Sequence, residues 1–202
     1  MKLTEISCAG TLGDAYTIGL KLFDKKNIEL FHYTKHTIWH KEIKQIYRFF
    51  PNIKKINFTQ FMYSEIPEIN GIPEEGMNWF PDLQMPLMAT YDNYIVISAH
   101  GGREDGMARK IPIPQIEFMI EAVNPIPVVL IGTDPNYNGI KCHTNLIGKT
   151  EIEDVFRIII NSSGFCGPEG FPCFVALSHK IPSVVFYVRY QPVEARILQT
   201  PW

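Results

Sequence analysis

The sequence predicts an α/β protein built as two small parallel-sheet lobes that face each other across a cleft. Three observations carry that expectation. Strand-like and helix-like stretches alternate from Lys2 to Phe58, and the same rhythm restarts at Tyr94 after an interval rich in Pro and Gly. Val128-Val129-Leu130-Ile131 is an unbroken apolar run, which suits a strand covered on both faces. The lobes are expected over 1–87, including a crossover segment, and 88–202.

In the first lobe, Lys2 to Cys8 reads as a strand. The turn Ala9-Gly10-Thr11-Leu12-Gly13-Asp14 follows, then a helix from Ala15 to Phe23 whose apolar side is Ile18, Leu20 and Phe23, with Gly19 as its weak point. Ile28 to Tyr33 reads as a second strand. A helix is predicted over Ile38 to Phe50, with Ile43, Ile46, Tyr47 and Phe50 on one side, stopped by Pro51 and Asn52. Ile53 to Phe58 is the third strand. Ser64 to Leu87 breaks the pattern with Pro67, Pro73, Pro81 and Pro86. Trp79 and Phe80 need a packing partner there, so the segment is expected to be an ordered crossover.

In the second lobe, Tyr94 to Ala99 is a strand that runs into His100-Gly101-Gly102. A helix is expected over Ile113 to Val123, ended by Pro125 and Pro127, and the apolar strand at Val128 follows. Thr144 to Leu146 reads as a short strand. Thr150 and Glu153 have capping-box spacing for a helix to about Ile160. Glycine turns are expected through Ser162 to Gly170, then a helix around Phe174 to His179 and a last strand from Ser183 to Val188. Ligands bind at the carboxyl ends of the strands in open parallel sheets, which places the expected cleft there.

Composition narrows the function classes. The 202 residues are 46% hydrophobic, enough for a core without disulfides or a structural metal. Net charge is -2, so the basic excess of a duplex-binding surface is missing and no nucleic-acid partner is expected. Apolar runs are too short to span a membrane, and no secretory signal is read at the N-terminus; a soluble, cytoplasmic protein is expected. Cys8, Cys142, Cys166 and Cys173 are scattered and read as reduced thiols. Cys142 and His143, drawn with His100 and His179, have unconvincing zinc spacing, and no metal is expected.

Three glycine-bearing segments carry the chemistry. Gly10, Thr11 and Gly13 stand between a strand and a helix, where glycine lets the backbone approach a ligand and helix-start N–H groups favour negative charge. Asp14 either caps that helix or accepts a proton from a hydroxyl nucleophile. The spacing is neither G-x-G-x-x-G nor a P-loop. The segment from His100 through Gly101, Gly102 and Arg103 to Arg109 and Lys110 is either a solvated loop or a diphosphate clamp, with Arg109 or Lys110 as the cation. In the third segment, backbone N–H groups from Phe171 to Phe174, next to Gly170, are expected to take a phosphate. Glu169 suits a ribose or sugar hydroxyl; the glycines otherwise serve only as tight turns. Cys166 and Cys173 read as packed residues rather than nucleophiles.

In this order the segments resemble the heptosyltransferase-like glycosyltransferases, glycosyltransferase family 9 with the GT-B fold of two Rossmann-like lobes. The residues that carry the resemblance are Gly10 to Asp14, Ile95 to Pro112, Val128 to Gly132, Asn145-Leu146-Ile147-Gly148-Lys149-Thr150 and Glu169 to Val185. The Asn145 to Thr150 element is the most specific of them. The resemblance implies transfer of a sugar from a nucleotide-diphosphate sugar to an acceptor hydroxyl, without a metal or other cofactor. Asp14 would be the base, and Arg109 or Lys110 would balance the leaving diphosphate. Gly10, Thr11, Gly13, Gly101, Gly102, Glu169, Gly170 and Phe171 would contact the nucleotide-sugar. Glu169 stands where the family has aspartate, Gly170 where it has a hydroxyl residue, and Phe174 where it has a histidine. The family's C-terminal helix is reduced at most to Glu194 to Gln199.

Two other functions fit the same residues. A nucleotide-sugar epimerase or hydrolase would use Asp14, Glu169 and a histidine such as His100 for acid–base work. A binding or assembly protein would keep the core strands without a diphosphate clamp. Peripheral membrane association through the acceptor, and a homodimer that buries Trp39, Trp79 and Trp202, stay open.

Overall fold

The computed structural model describes residues 2–35, 37–71, 93–101 and 109–187. They form two compact units, one ending at residue 71 and one starting at 93. Each is built on a parallel sheet.

The first unit runs β1 (Thr4–Ala9), α1 (Leu12–Leu22), β2 (Ile28–Tyr33), a 3₁₀ turn (Thr37–Trp39), α2 (His40–Tyr47), β3 (Ile53–Thr59) and β4 (Glu68–Ile69). The strand order is β3-β2-β1-β4, with every neighbour parallel. Helix α1 starts at Leu12, earlier than the expected Ala15, because Thr11 and Asp14 close a capping box around its first turn. Tyr16, Ile18, Leu20 and Leu22 are all removed from water. Full burial of an aliphatic or aromatic side chain stabilises by about 1.5–3 kcal/mol. Gly19, the weak point of the helical pattern, has a packing reason. A Cβ there would sit 2.2 Å from Cε2 of Phe50, whose ring packs against Tyr16 with centroids 5.6 Å apart. The helix expected over Ile38 to Phe50 is shorter than predicted and is preceded by the 3₁₀ turn; Ile43, Ile46 and Tyr47 form its buried stripe. In the expected crossover, Glu68 and Ile69 add a short strand beside β1; residues 72–87 of that segment, with Trp79 and Phe80, lie outside the described residues.

The second unit runs β5 (Ile95–Ser98), β6 (His100–Gly101), β7 (Arg109–Lys110), α3 (Ile113–Ala122), β8 (Val128–Ile131), a 3₁₀ turn (Pro135–Tyr137), β9 (Thr144–Asn145), α4 (Ile152–Ile160), β10 (Gly164–Pro168), α5 (Phe171–Ser178) and β11 (Ser183–Phe186). Its main sheet has the order β11-β10-β5-β8-β9, again all parallel. β8 is buried along its whole length and paired on both sides, as its apolar run predicts. One face of the sheet packs Ile97, Val128 and Leu130 with Ile116, Tyr137 and Ile147.

Three expectations in this unit are corrected. Gly164 to Pro168, read as turns, is a strand between β5 and β11. Glycine at 167 is required by crowding, since a Cβ there would lie 2.8 Å from Cβ of Ser98. The capping box of α4 is formed by Glu151 and Asp154, one residue later than the Thr150–Glu153 pair. Arg109 and Lys110 are not in a free loop; they form a strand antiparallel to His100 and Gly101. Among the described residues, no helix is long and apolar enough to cross a membrane.

Candidate functional site

At the carboxyl end of β1, the chain turns through Gly10 at φ +136° into α1. Asp14, in the first turn, accepts two hydrogen bonds on Oδ2, from the Thr11 N–H (2.8 Å) and the Thr11 hydroxyl (3.1 Å). The capping role weighed for Asp14 is therefore real, and the Thr11 hydroxyl donates to this carboxylate. Two glycines enclose Asp14. A Cβ at Gly10 would lie 2.3 Å from the Asp14 Cβ, and one at Gly71 would lie 2.6 Å from its Oδ1. The Gly13 carbonyl accepts from the Thr17 hydroxyl at 3.1 Å.

Beneath this turn lies a buried polar group that sequence reasoning missed. Cys8, His32 and Phe58 are register partners across β1, β2 and β3. His32 Nε2 is 3.1 Å from the Gly10 carbonyl, and its Nδ1 is 2.8 Å from the Tyr47 hydroxyl and 3.3 Å from Cys8 Sγ. Burial pushes the His32 imidazole below the usual histidine range and the Cys8 thiol up to about 12. The one available signal is period-two alternation: Ile28, Leu30 and His32 share the buried face of β2.

In the second unit, the expected donor residues come together at the carboxyl ends of β5 and β10. Arg109 Nη1 donates to the Glu169 carbonyl at 2.7 Å and makes an ion pair with Glu169 Oε2 at 2.9 Å. The Glu169 side chain is 4% exposed, so its carboxylate is committed to Arg109 more than to solvent. Gly101 packs beneath them, where a Cβ would be 3.1 Å from the Glu169 carbonyl. Beyond Glu169, Gly170 (φ +155°) opens α5 and faces open space, with nothing within 4 Å of where a Cβ would stand. The expected run of phosphate donors is smaller than predicted: Pro172 has no N–H, and the Phe174 N–H bonds the Gly170 carbonyl at 3.0 Å. Phe171, on the first turn, is buried. Gly102, the other residue expected here, lies outside the described residues, as do Arg103 and the Glu194 to Gln199 segment.

Lys110 points to a second carboxylate, Asp134, at 2.6 Å. That hydrogen bond holds the Asp134 carboxyl below the usual range and the Lys110 ammonium above its own. Asp134 was not among the expected residues, because it pairs with Lys110 from 24 positions away. His100 completes the cluster. Its Nε2 accepts the N–H groups of Thr133 and Asp134, each at 2.9 Å, which fixes that nitrogen as the unprotonated one. Burial lowers the His100 pKa.

Asn145, in the most specific of the matched elements, closes a loop. Its Nδ2 donates to the carbonyls of Tyr137 (3.1 Å), Asn138 (3.3 Å) and Ile140 (3.1 Å), while Oδ1 accepts from the Ile147 N–H at 3.1 Å. All four cysteines are free thiols, and burial raises Cys166 to about 11 and Cys173 further. Among the described residues, no three His, Cys, Asp or Glu side chains stand together in a way that could hold a metal ion.

In sequence, the chain matches no protein-family model and no curated protein. In structure it is similar to the glycosyl transferase family 9 protein from Veillonella parvula DSM 2008 (TM-score 0.59, 11% identity, covering 95% of this chain and 84% of that one). It is similar also to the E. coli ADP-heptose lps heptosyltransferase II (TM-score 0.62, 10% identity, 94% of this chain and 86% of that one). A third similar structure is the dodecameric iron-containing heptosyltransferase TibC in complex with ADP-D-β-D-heptose (TM-score 0.54, 16% identity), of which this chain covers 64%. The two parallel-sheet units thus share the fold of these glycosyltransferase structures, at 10% to 16% identity.

Proposed function

We propose that this protein moves a sugar from a nucleotide-diphosphate sugar to an acceptor hydroxyl, with Asp14 as the base. The supporting observation is the enclosure of Asp14. Capping the helix needs only the Thr11 N–H, yet glycines stand at both positions where any side chain would collide with the carboxylate. Oδ2 is held by Thr11, and Oδ1 takes the proton of the acceptor hydroxyl. The acceptor oxygen attacks the anomeric carbon, and the electron pair of the breaking C–O bond leaves with the nucleoside diphosphate.

Arg109 meets the charge that develops on the diphosphate, with its guanidinium oriented through Nη1 by Glu169. The open face of Gly170 gives the diphosphate room beside α5, and Lys110 adds positive charge at the same sheet edge. No step calls for a cofactor. The fold shared with heptosyltransferases that bind ADP-heptose makes nucleotide-diphosphate sugars the substrates to try first.

The test combines binding with transfer. One nucleoside diphosphate in a panel is expected to raise the melting temperature of the wild type and of Asp14→Asn alike. Transfer from the matching radiolabelled sugar is expected to fall about 10²–10⁴-fold in Asp14→Asn. Unchanged transfer in that variant would remove Asp14 from the reaction.

A specific observation favours a second reading, a protein that binds the nucleotide-sugar without turning it over: Arg109 and Lys110 already have carboxylate partners. Ligand stabilisation without transfer to any acceptor, and without release of free nucleotide, would decide for it. Free nucleotide with no acceptor product would instead indicate a hydrolase. His100 is poorly placed to serve such an enzyme through Nε2, which is occupied by two backbone donors.

A further inference from the structure

The turn that presents Asp14 is gripped from below. The Gly10 N–H donates to the Tyr33 carbonyl at 3.2 Å, and the Gly10 carbonyl faces His32 Nε2 at 3.1 Å. A carbonyl can only accept, so Nε2 carries the hydrogen. Nδ1 is then the acceptor of a neutral ring, and the hydroxyl of Tyr47 donates to it across 2.8 Å. All of the side chains involved are shut off from water: His32 and Cys8 are 0% exposed and Tyr47 1%. The Tyr47 ring also meets the imidazole edge-on, and Phe58 closes another side.

We propose that His32 is a positioning residue for Asp14, fixed in its Nε2–H tautomer by Tyr47 and holding the Gly10 carbonyl so that the carboxylate is aimed at its substrate. The linkage is short and covalent from Gly10 onward. Gly10 packs directly on the Asp14 Cβ, and the Thr11 N–H, on the far side of the Gly10 peptide plane, bonds Asp14 Oδ2. A rotation of that one peptide moves the Gly10 carbonyl and the Thr11 N–H together, because both belong to the same plane. His32 therefore sets the direction of the donor that orients the base. In a dry pocket a neutral ring holds this role without bringing a charge near Asp14. The groups facing the ring are the Cys8 thiol on β1 and the Tyr47 hydroxyl on α2. Asp14 on α1 and His40 on α2 act on it through space.

The assignment rests on the transferase reading for its catalytic part, and the experiment separates the two. Imidazole ¹⁵N spectra of the whole chain are expected to show His32 with Nε2 protonated and Nδ1 bare at pH 7. The opposite tautomer, or a charged ring, would overturn the proposal with no variant needed. Glutamine at this position reaches Gly10 with its amide, whereas asparagine is too short. Transfer is therefore expected to fall on the order of a hundredfold in His32→Asn, as for an ångström-scale misplacement of a reacting group. It should fall much less in His32→Gln, with KM for the nucleotide-sugar unchanged in both. Equal losses in the two variants would reduce His32 to packing. Tyr47→Phe, which keeps the ring and loses the hydroxyl, is expected to mix the tautomers and lower kcat with KM unchanged; a tautomer unaltered there would remove Tyr47 from the assignment. If the wild type transfers nothing, the transferase reading fails by itself. The amide ¹H–¹⁵N signal of Thr11, which bonds Asp14 Oδ2, then carries the test: it is expected to move in His32→Asn and hold in His32→Gln, and identical spectra would sink the positioning role.

Discussion

The two sheet edges that carry the candidate residues are held by different physics. At the edge of the first unit, the only charge on the glycine turn is Asp14, fixed by an amide, a hydroxyl and, indirectly, a neutral imidazole beneath it. At the edge of the second, Arg109 and Lys110 are each matched by a carboxylate, Glu169 and Asp134. One edge keeps a lone charge poised by neutral hydrogen bonds; the other stores positive charge inside ion pairs. A base needs an uncompensated lone pair. A cation that meets a diphosphate gains from being pre-oriented, even at the cost of partial neutralisation.

The contrast predicts where substitutions hurt most. Arg109→Met breaks a buried ion pair with Glu169, and should cost about 3–5 kcal/mol in urea unfolding. An effect below the range for exposed pairs would mean that the Arg109–Glu169 contact is looser than described. Gly10→Ala comes next. It forces φ +136° on a residue with a Cβ that collides with Asp14, for a cost of about 1–3 kcal/mol. It should also reduce any Asp14-dependent activity, which a purely structural turn would not. Asp14→Ala removes a cap and should cost about 1 kcal/mol, within the range for lost helix caps. If Asp14→Ala proves as costly as Arg109→Met, the two edges are not held as differently as the geometry says.

A graded effect is expected from acid. His32, His100 and His179 all have folded-state pKa values lowered by burial. Below pH about 6.5, the ordinary histidine value, the unfolded chain takes up protons that these rings refuse in the fold, so stability falls as pH drops. Depressed carboxylates such as Asp134 lose their contribution only at lower pH, which keeps the histidine window separate. A flat melting temperature from pH 7 to 5 would contradict the burial of these rings. The smallest change is expected for Lys110→Met, since its pair with Asp134 is open to water and weakened by salt.

Sequence pattern made the scaffold readable where burial imposes a period. β2 alternates, α4 repeats Ile152, Phe156, Ile159 and Ile160 at helical spacing, and β8 is apolar throughout. The turn at Gly10 was legible too, because a strand followed by glycines and an acid has few other uses. Gly164 to Pro168 failed for a tertiary reason: its glycine at 167 answers to the approach of Ser98, 69 positions earlier, and local composition reads it as a breaker. The candidate donor residues were named individually, yet their partners were invisible. Arg109 meets Glu169 across 60 positions, and His32 meets Gly10 across 22. Pairings that distant are decided by strand order, which no local window contains.

The loop closed by Asn145 makes a neutral amide answerable for a distant charge pair. Three carbonyls converge on its nitrogen, and the segment they belong to follows Asp134 and carries Tyr137, whose ring stacks on His100. Deamidation, the slow hydrolysis that turns asparagine into aspartate as proteins age, would aim an anion at those three oxygens and expel the segment. Chemical damage at a residue that touches neither cation would thus loosen the hold on Lys110.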